Sequence, residues 1–322
     1  VRLVKIYLIS QNGEACITCP TACTEGLVTI LRRYADTPEL QNILKHCSEG
    51  IDGDFGIGAQ YISEIQGGSD IQANVLEAVQ DGNTWRLYGI KHFCSATHAD
   101  YSLVTAKPAG SEKVALFVVP SWLQGDKEKE KRNGFTIDRI KYKMGTSELT
   151  TGELTYDGAI AYPVGPLDRG VANVVGIVLT LSRLGLGNGS AAFMTRSVRE
   201  AKKYAELRDA FGTKIGHFPL LAAQLNKADQ LAKQTTAGVF RLYRDFLQME
   251  SGLMGGLVTS KNEETNKRTF EVRELIMLQK IGAAWDATDV LRTAMSAFGG
   301  HGVMEDFSSL PRLYRDAAVN EL

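Results

Sequence analysis

The sequence predicts an α+β protein in which a helical segment, an antiparallel β-domain and a bundle of long helices follow one another. Three observations support this order. Apolar residues recur at helical spacing in residues 1–52, alternate with polar residues in 53–165, and return to helical spacing over long stretches of 166–322. We take these three ranges as the predicted domains, since 322 residues exceed the length of one average domain.

The first segment carries two helix signals. Residues 24–34 place apolar side chains on one helical face, and Thr37 followed by Pro38 is typical of a helix start with proline in its first turn. We therefore expect the chain to be helical over roughly its first fifty residues.

Three of the five cysteines, Cys16, Cys19 and Cys23, lie close together in this segment. Thiolates at such spacing can ligate an iron–sulfur cluster, but the fourth ligand would be Cys47 and the spacing matches no standard cluster run. The alternative, small apolar side chains packed in a helix, is the interpretation that we favour, with no metal site. Five cysteines in a chain of this length are too few to suggest a disulfide framework. Their scarcity favours a reducing, cytoplasmic setting.

Strands are predicted where apolar and polar residues alternate, at 85–90, 101–106 and 114–119. Turns are marked by glycine and its neighbours at 81–83 and 108–110. Because no helical pattern of crossover length separates these strands, the sheet should be antiparallel, as a small barrel or sandwich.

Helical periodicity predicts long helices at 171–207, 218–249 and 270–298, and the start of a fourth at 310–319. A glycine-rich and polar stretch at 252–266 should connect the second and third helices. Long helices in this order predict an antiparallel bundle.

Charge and hydropathy argue against two classes of partner. With 36 basic and 37 acidic residues, the chain has no basic stripe of the kind that binds nucleic acid. The longest apolar stretch, 171–186, contains Asn173, Ser182 and Arg183 and falls short of the ~20 apolar residues that span a bilayer. We expect a buried helix there, and no membrane partner.

Residues 61–70, with the sequence YISEIQGGSD, are the candidate centre of a functional site. The first four alternate like a strand, and Gly67 and Gly68 then allow a planar or phosphorylated ligand to approach the backbone. Ser63 and Ser69 place a hydroxyl on either side of that approach. Alone, such a run is also typical of an ordinary strand connection.

Further motifs follow downstream: KHFCS at 91–95, LSR at 181–183, RDAFG at 208–212, and FGGHG at 298–302 with LPRLYRD at 310–316. Together with 61–70 they resemble the acyl-CoA dehydrogenase family of flavoproteins, over nearly the whole chain. The runs QGGSD and LPRLYR are most similar to the branch of that family that includes the bacterial flavoprotein AidB.

The resemblance implies a helical N-terminal domain, a middle β-domain and a C-terminal four-helix bundle, with FAD between the last two. It implies that Ser63 bonds the flavin ring, that Ser95 lies beside flavin N5 and that Phe93 is next to it; donors there stabilise the charge that hydride transfer brings. The cofactor-binding residues that it implies are Ser63, Gly68, Ser69, Phe93, Ser95, Arg208, Phe211, Gly299 and Gly300. The last four would hold the adenosine-diphosphate half across a subunit interface.

For the substrate, the resemblance implies that Ser69 and Arg183 contact acyl-CoA, with Arg183 near the thioester. The alternative for Arg183 is a helix arginine that reaches to water. The implied partners are an electron-transferring flavoprotein as electron acceptor and further copies of the chain in a homotetramer or homodimer.

The catalytic base departs from the family pattern. Family members abstract the acyl α-proton with a Glu, which the resemblance puts just beyond Leu322, or, in a second branch, at the position of Ser182. A serine hydroxyl cannot take up that proton unaided, so no base is assigned within the chain. We therefore expect an internal portion of a longer protein, with 1–52 as the remnant of the N-terminal helical domain and 166–322 as an incomplete bundle.

Two hypotheses follow. The first is an FAD-dependent acyl-CoA dehydrogenase that desaturates the Cα–Cβ bond of an acyl thioester, with hydride transfer to flavin N5. The alternative is an AidB-like flavoprotein that binds DNA or a protein partner and has only vestigial dehydrogenase activity, or an inactive fragment.

Overall fold

The first segment of the chain is helical, as predicted, and consists of three helices among the described residues. The computed structural model describes residues 2–13, 15–249 and 260–322. Its first helices are α1 (Arg2–Ser10), α2 (Ala15–Tyr34) and α3 (Pro38–Ser48). The side chain of Thr37 accepts a hydrogen bond from the Leu40 N–H at 3.3 Å, which confirms the predicted start of α3.

The cysteine cluster lies within α2. Cys23 is buried, and Cys19 packs against the hydrophobic core of the sheet. Within residues 2–13, 15–249 and 260–322, no group of three His, Cys, Asp or Glu side chains is arranged to hold a metal ion. The burial of Cys23 and the core contact of Cys19 fit the favoured interpretation of small packing side chains.

The central domain is a seven-stranded sheet. Its strands are β1 (Gly58–Tyr61), β2 (Glu77–Asp81), β3 (Thr84–Ser95), β4 (Tyr101–Pro108), β5 (Ala115–Pro120), β6 (Phe135–Ile140) and β7 (Thr151–Pro163). The predicted antiparallel pairing is confirmed for β2–β3, β3–β7, β4–β5, β5–β7 and β6–β7. Two short parallel pairings, β1 with β4 and β2 with β4, were not predicted. They depend on contacts between distant parts of the chain.

The strand predicted at the start of residues 61–70 is wrong in position. β1 ends at Tyr61, and the chain leaves the sheet at Ile62. Glu64 and Gly67 then exchange two backbone hydrogen bonds, of 3.1 and 3.2 Å, which close a tight turn. The alternation at 61–64 instead places Glu64 inward, where its carboxylate is buried.

The second half of the chain is the helical bundle. Helix α4 (Gly170–Asn173), a π-helical segment (Val174–Val178) and α5 (Leu179–Leu207) run as one continuous helix. A short hairpin, β8 (Asp209–Ala210) and β9 (Thr213–Lys214), leads into α6 (Pro219–Leu247), α7 (Glu263–Ala297) and α8 (Leu310–Val319). The three predicted long helices and the start of a fourth, α8, are confirmed. The π-helical segment was not predicted, and such segments are frequent at functional sites.

The predicted connection at 252–266 is corrected at one end. The side chain of Asn262 caps α7 by accepting the N–H groups of Glu264 and Thr265, so residues 263–266 are already helical. The part of this prediction that falls on residues 252–259 lies outside the described residues.

The continuous helix Gly170–Leu207 is apolar enough, with a mean hydropathy of 1.5 in its most apolar stretch, to cross a bilayer by length and composition. More than half of that stretch (56%) is buried inside the fold, as in the core helices of water-soluble domains. Its N-terminal residues Val174 and Ile177 pack with Leu27 of α2 and Leu116 of β5. The helix therefore joins the sheet to the bundle core.

A buried ion pair fixes the loop that follows β1. The Lys91 ammonium of β3 lies 2.7 Å from the Glu64 carboxylate, and both side chains are essentially inaccessible to solvent. Lys91 also donates to the carbonyl of Ile62 and to the hydroxyl of Thr105, each at 3.0 Å. Glu64 accepts the backbone N–H of Val75 at 2.7 Å. The charged groups of both residues thus hydrogen-bond the loop backbone and keep the loop in place.

Burial lowers the pKa of Lys91 to about 8, although the Glu64 carboxylate and its hydrogen bond act in the opposite direction. At pH 7 the amine therefore keeps its proton and the ion pair is intact. Removing one partner would leave an uncompensated charge in the core.

We predict that Lys91→Met lowers the free energy of unfolding by roughly 3–5 kcal/mol at pH 7, because Glu64 is left buried without a cation. Urea unfolding measures the change. The control is Lys107→Met, which removes a partly exposed lysine 3.9 Å from the exposed Glu112 and should cost less than about 1 kcal/mol. Equal losses in the two variants would contradict the role given to the pair. Replacing both partners, as Glu64→Gln with Lys91→Met, should recover part of the loss.

Candidate functional site

The loop at 62–70 presents its backbone at the edge of the sheet. A Cβ added to Gly68 would meet no atom within 4 Å, whereas one added to Gly67 would lie 2.7 Å from the Asp70 carbonyl oxygen. Gly67 is thus required by the turn, and Gly68 faces open space. Ser69 is exposed beside it. The structure places the predicted residues Gly68 and Ser69 where a ligand can reach both.

Ser63 is held against the end of β3. Its carbonyl oxygen accepts the His92 N–H at 2.9 Å. A β-bulge between Lys91 and Cys94 interrupts the pairing of β3 with β7 at this point. Bulges re-aim side chains, and here the Phe93 ring remains 51% exposed. Ser63 and Phe93, predicted as neighbours of one ligand, therefore lie on adjacent backbone segments.

The predicted residue Ser95 ends β3, opposite Thr151 of β7. The two hydroxyl oxygens lie 3.0 Å apart. The Lys143 ammonium donates to Thr151 Oγ1 at 3.0 Å and to the Leu149 carbonyl at 2.9 Å. Burial lowers the pKa of Lys143. The sequence did not identify Thr151 or Lys143 as site residues, because only the register of β3 with β7 brings them to Ser95.

A second polar cluster lies against Phe93. The Lys141 ammonium is 4.3 Å from the centroid of the Phe93 ring and 2.6 Å from Glu153 Oε1. Arg139 also donates to Glu153, at 2.7 Å, and His92 Nδ1 lies 3.2 Å from the same oxygen. The hydrogen bonds from Arg139 and Lys141 lower the pKa of Glu153 to about 2. This cluster was also not predicted, although the cations Arg139 and Lys141 stand two residues apart in the sequence.

The LPRLYRD motif positions α8 against the sheet. The Asp316 carboxylate accepts the Thr146 N–H at 2.5 Å, and a Cβ on Gly145 would collide with the Arg315 carbonyl. Arg315 pairs with Glu305 at 2.6 Å. The motif thus docks the end of the bundle beside the loop that carries Lys143, so its first role is structural.

A cleft of about 460 Å³ lies where α5 and α7 end. It brings together Arg208, Gly299 and Gly300, as the sequence predicts, and a Cβ on either glycine would meet no atom within 4 Å. The cleft is also lined by Tyr204, Ile215, Ala297, Phe298, His301 and Met304. Phe211, predicted for the same site, is 98% exposed and does not line this cleft.

The two halves of the predicted cofactor site are far apart within one chain. Ser182 hydrogen-bonds Gln60 of β1 at 3.4 Å, close to the segment that carries Ser63. From there α5 runs to Arg208, which caps the helix by donating its N–H to Tyr204. At 1.5 Å per residue, the stretch from Ser182 to Arg208 is about 39 Å long, more than one extended FAD molecule spans.

Arg183 lies partly buried on α5, near Lys280 of α7. Burial lowers its pKa, and its charge contributes to lowering the pKa of Lys280 on α7. No side chain in the described parts of the chain forms an ion pair with Arg183. Ser182, beside it, donates to the Val178 carbonyl at 3.3 Å and so offers no base.

Another cleft, of about 590 Å³, opens beside the start of the long helix Gly170–Leu207. Three basic side chains, Lys113, Arg169 and Arg273, line it with a single carboxylate, Asp168. The helix begins here at Gly170, and no side chain caps its first turn. Its N-terminal N–H groups add to the positive potential. The cleft is suited to an anion with several negative charges.

Two domain models of one family match the chain: acyl-CoA dehydrogenase, middle domain, at residues 59–159, and acyl-CoA dehydrogenase, C-terminal domain, at 168–322. The first match covers the sheet and the second covers the bundle. The matched regions therefore carry the two clefts and the sheet-edge loop described above.

Individual relatives agree with this assignment. The chain is 29% identical over 338 residues to acyl-CoA dehydrogenase family member 11 of Caenorhabditis elegans, covering 100% of this chain and 51% of that protein. It is 27% identical over 326 residues to AidB of Escherichia coli, covering 98% of this chain and 56% of that protein. The crystal structure of Caenorhabditis elegans ACDH-11 in complex with C11-CoA superposes with a TM-score of 0.88 at 28% identity, over 100% of this chain and 54% of that one.

The chain thus spans about half the length of the relatives that it matches. Over that span the order of helices, sheet and bundle, the two domain models and the superposed backbone all agree. The chain belongs to the acyl-CoA dehydrogenase family and has its fold.

Proposed function

We propose that the protein is an FAD-dependent acyl-CoA dehydrogenase, which desaturates the Cα–Cβ bond of an acyl-CoA thioester. One observation carries this proposal: in a chain of this family, an exposed Phe93 lies at the same edge of the sheet as the hydroxyls of Ser63 and Ser95. When bound, FAD would supply the hydride acceptor. The residues of the chain hold, orient and shield it.

The residues at the sheet edge fit the ring half of FAD. Ser63 and Ser95 offer hydroxyl donors on adjacent segments, and Phe93 offers a flat apolar surface. Ser95 is oriented by Thr151, which is itself fixed by Lys143. Such prearranged donors stabilise negative charge on a bound flavin without reorganising at the moment of reaction.

The cleft lined by Arg208, Gly299 and Gly300 fits the adenosine-diphosphate half of FAD. Gly299 and Gly300 leave open space for phosphate groups, Arg208 supplies a cation, and Tyr204 and Phe298 supply aromatic surface. Because this cleft lies about 39 Å along α5 from the ring-binding residues, the two halves of one FAD would come from two chains. We therefore propose a homodimer or homotetramer, in which a second copy covers the exposed Phe211 ring.

The basic cleft fits the phosphate groups of coenzyme A. It lies beside Gln72, just after Ser69 in the chain, and leads to the start of the helix that carries Arg183. Acyl-CoA would then extend from Arg169 and Arg273 past Ser69 toward Arg183. The ACDH-11 structure contains C11-CoA, which supports acyl-CoA as the substrate class.

Three parts of the function are not assigned to described residues. No carboxylate beside Arg183 serves as base, and Ser182 cannot. An electron-transferring flavoprotein as electron acceptor and a cytoplasmic location remain proposals that follow from the family resemblance and the free cysteines. No observation favours nucleic-acid binding, since the net charge is −1.

Mixing the FAD-loaded protein with acyl-CoA thioesters of several chain lengths tests the reaction. Loss of the flavin absorbance without added reductant, together with formation of the enoyl thioester, is expected. A protein that binds FAD and shows no loss of absorbance with any of these thioesters would contradict the dehydrogenase assignment while leaving the cofactor assignment intact.

We predict that Gly300→Val weakens FAD binding at least tenfold, because the added side chain projects into the open cleft. The free energy of unfolding should change by less than about 1 kcal/mol, since a Cβ at this position meets no protein atom within 4 Å. Flavin fluorescence and urea unfolding measure the two quantities. Gly238→Val, on the exposed face of α6, is the matched control and should leave FAD affinity unchanged. Equal FAD affinity in wild type and Gly300→Val would refute the placement of the cofactor.

We predict that Arg273→Met weakens binding of coenzyme A roughly tenfold or more, the size of one charge-assisted contact. Calorimetric titration at two salt concentrations measures it, and the salt dependence should decrease in the variant. Arg292→Met, which removes an exposed arginine from the same helix, is the control. A loss in both variants, or in neither, would show that the basic cleft does not hold the phosphates.

A further inference from the structure

The cluster around Lys141 has no role in the function proposed above, although it contacts a residue of the ring-binding edge. Lys141 follows β6, and its backbone N–H donates to the Thr151 carbonyl at 2.8 Å. Thr151 is the partner of Ser95, so this hydrogen bond fixes Lys141 in register with the ring-binding hydroxyl. The Lys141 side chain is only 9% exposed. Its position is therefore determined by the sheet rather than by solvent.

The Lys141 ammonium covers one face of the Phe93 ring. It lies 4.3 Å from the ring centroid, within the range of a cation–π contact. His92 packs against the edge of the same ring, with the centroids 5.2 Å apart and the planes at 83°. These two contacts fix the plane of Phe93. The remaining surface, about half of the residue, stays open on the side where a ligand can stack.

The charges around this ring do not balance. Lys141 and Arg139 share the single carboxylate of Glu153. Lys143, on the other side of Ser95, donates to two hydroxyls and a carbonyl, and the Glu148 and Asp316 carboxylates offset its charge. The imbalance is therefore at Phe93, where Lys141 and Arg139 face one carboxylate, and the nearly buried Lys141 is screened little by solvent.

We propose that Lys141 is a positioning residue of the flavin site: it fixes the plane of the Phe93 ring and supplies positive charge that favours the reduced flavin. The inference rests on the proposed function. Reduction adds negative charge to the flavin, so a nearby fixed cation binds the reduced form more tightly than the oxidised form. Glu153 holds Lys141 in place, but its negative charge disfavours the reduced flavin. Lys141 therefore raises the reduction potential of the flavin, and Glu153 lowers it.

The test is the reduction potential of the FAD-loaded protein, measured by equilibration with a reference dye. In Lys141→Met, the ratio of the affinity for reduced flavin to the affinity for oxidised flavin should fall at least tenfold below that of wild type. A tenfold fall corresponds to a shift of about −30 mV for a two-electron couple. Lys141→Arg should restore the wild-type value, because arginine keeps the charge and the cation–π contact. Glu153→Gln should shift the potential in the positive direction, which gives a second measurement should Lys141→Met fail to fold.

Lys107→Met, which removes a lysine from β4 away from this edge, is the control and should not change the potential. Potentials equal to wild type in both Lys141→Met and Glu153→Gln would overturn the inference alone. A wild-type protein that binds no FAD would overturn the proposed function, and this inference with it.

Discussion

The buried pair of Glu64 and Lys91 is the interaction on which the candidate site depends. A loop that leaves a sheet exposes backbone polar groups, and those buried without partners cost free energy. Here Lys91 satisfies the Ile62 carbonyl while Glu64 satisfies the N–H of Val75. A buried ion pair contributes little net stability compared with an apolar pair of the same shape. What it provides is position, because Ser63 lies between Ile62 and Glu64, the two residues that Lys91 holds.

The same strand that contributes Lys91 also carries the ring-binding residues, and the bulge in β3 makes this possible. Regular alternation would place Lys91, Phe93 and Ser95 on one face of the sheet. Lys91 instead points into the core while Phe93 is half exposed. The extra residue between Lys91 and Cys94 thus separates a structural face from a ligand-binding face within a few residues. The anchor and the site therefore cannot move independently.

The sequence was sufficient for the order of elements and for the motif residues, because both are local patterns. The helix at 310–319 and the start of α3 at Thr37 follow from periodicity and capping chemistry. It was not sufficient for the parallel pairing of β1 with β4, for the inward position of Glu64 or for the contact of Lys141 with Phe93. These depend on strand register between segments far apart in the chain. One signal was available: a lysine at an inward-facing position of β3 required a buried anion, and Glu64 was one of two carboxylates, with Asp70, in the loop after β1.

Arg183 shows how the same reasoning extends from structure to chemistry. A partly buried guanidinium loses hydration, and the structure gives it a second cation, Lys280, rather than a carboxylate as its neighbour. Like charges brought together in a desolvated crevice destabilise the ligand-free protein. Lys280 is partly satisfied by the Leu322 carbonyl at 3.1 Å, whereas Arg183 has no comparable acceptor among the described residues. Such a cost is typical of a site whose ligand brings the missing negative charge. In the proposed reaction, that charge would develop on the thioester oxygen as the α-proton leaves. Arg183 would therefore stabilise the transition state more than the bound substrate.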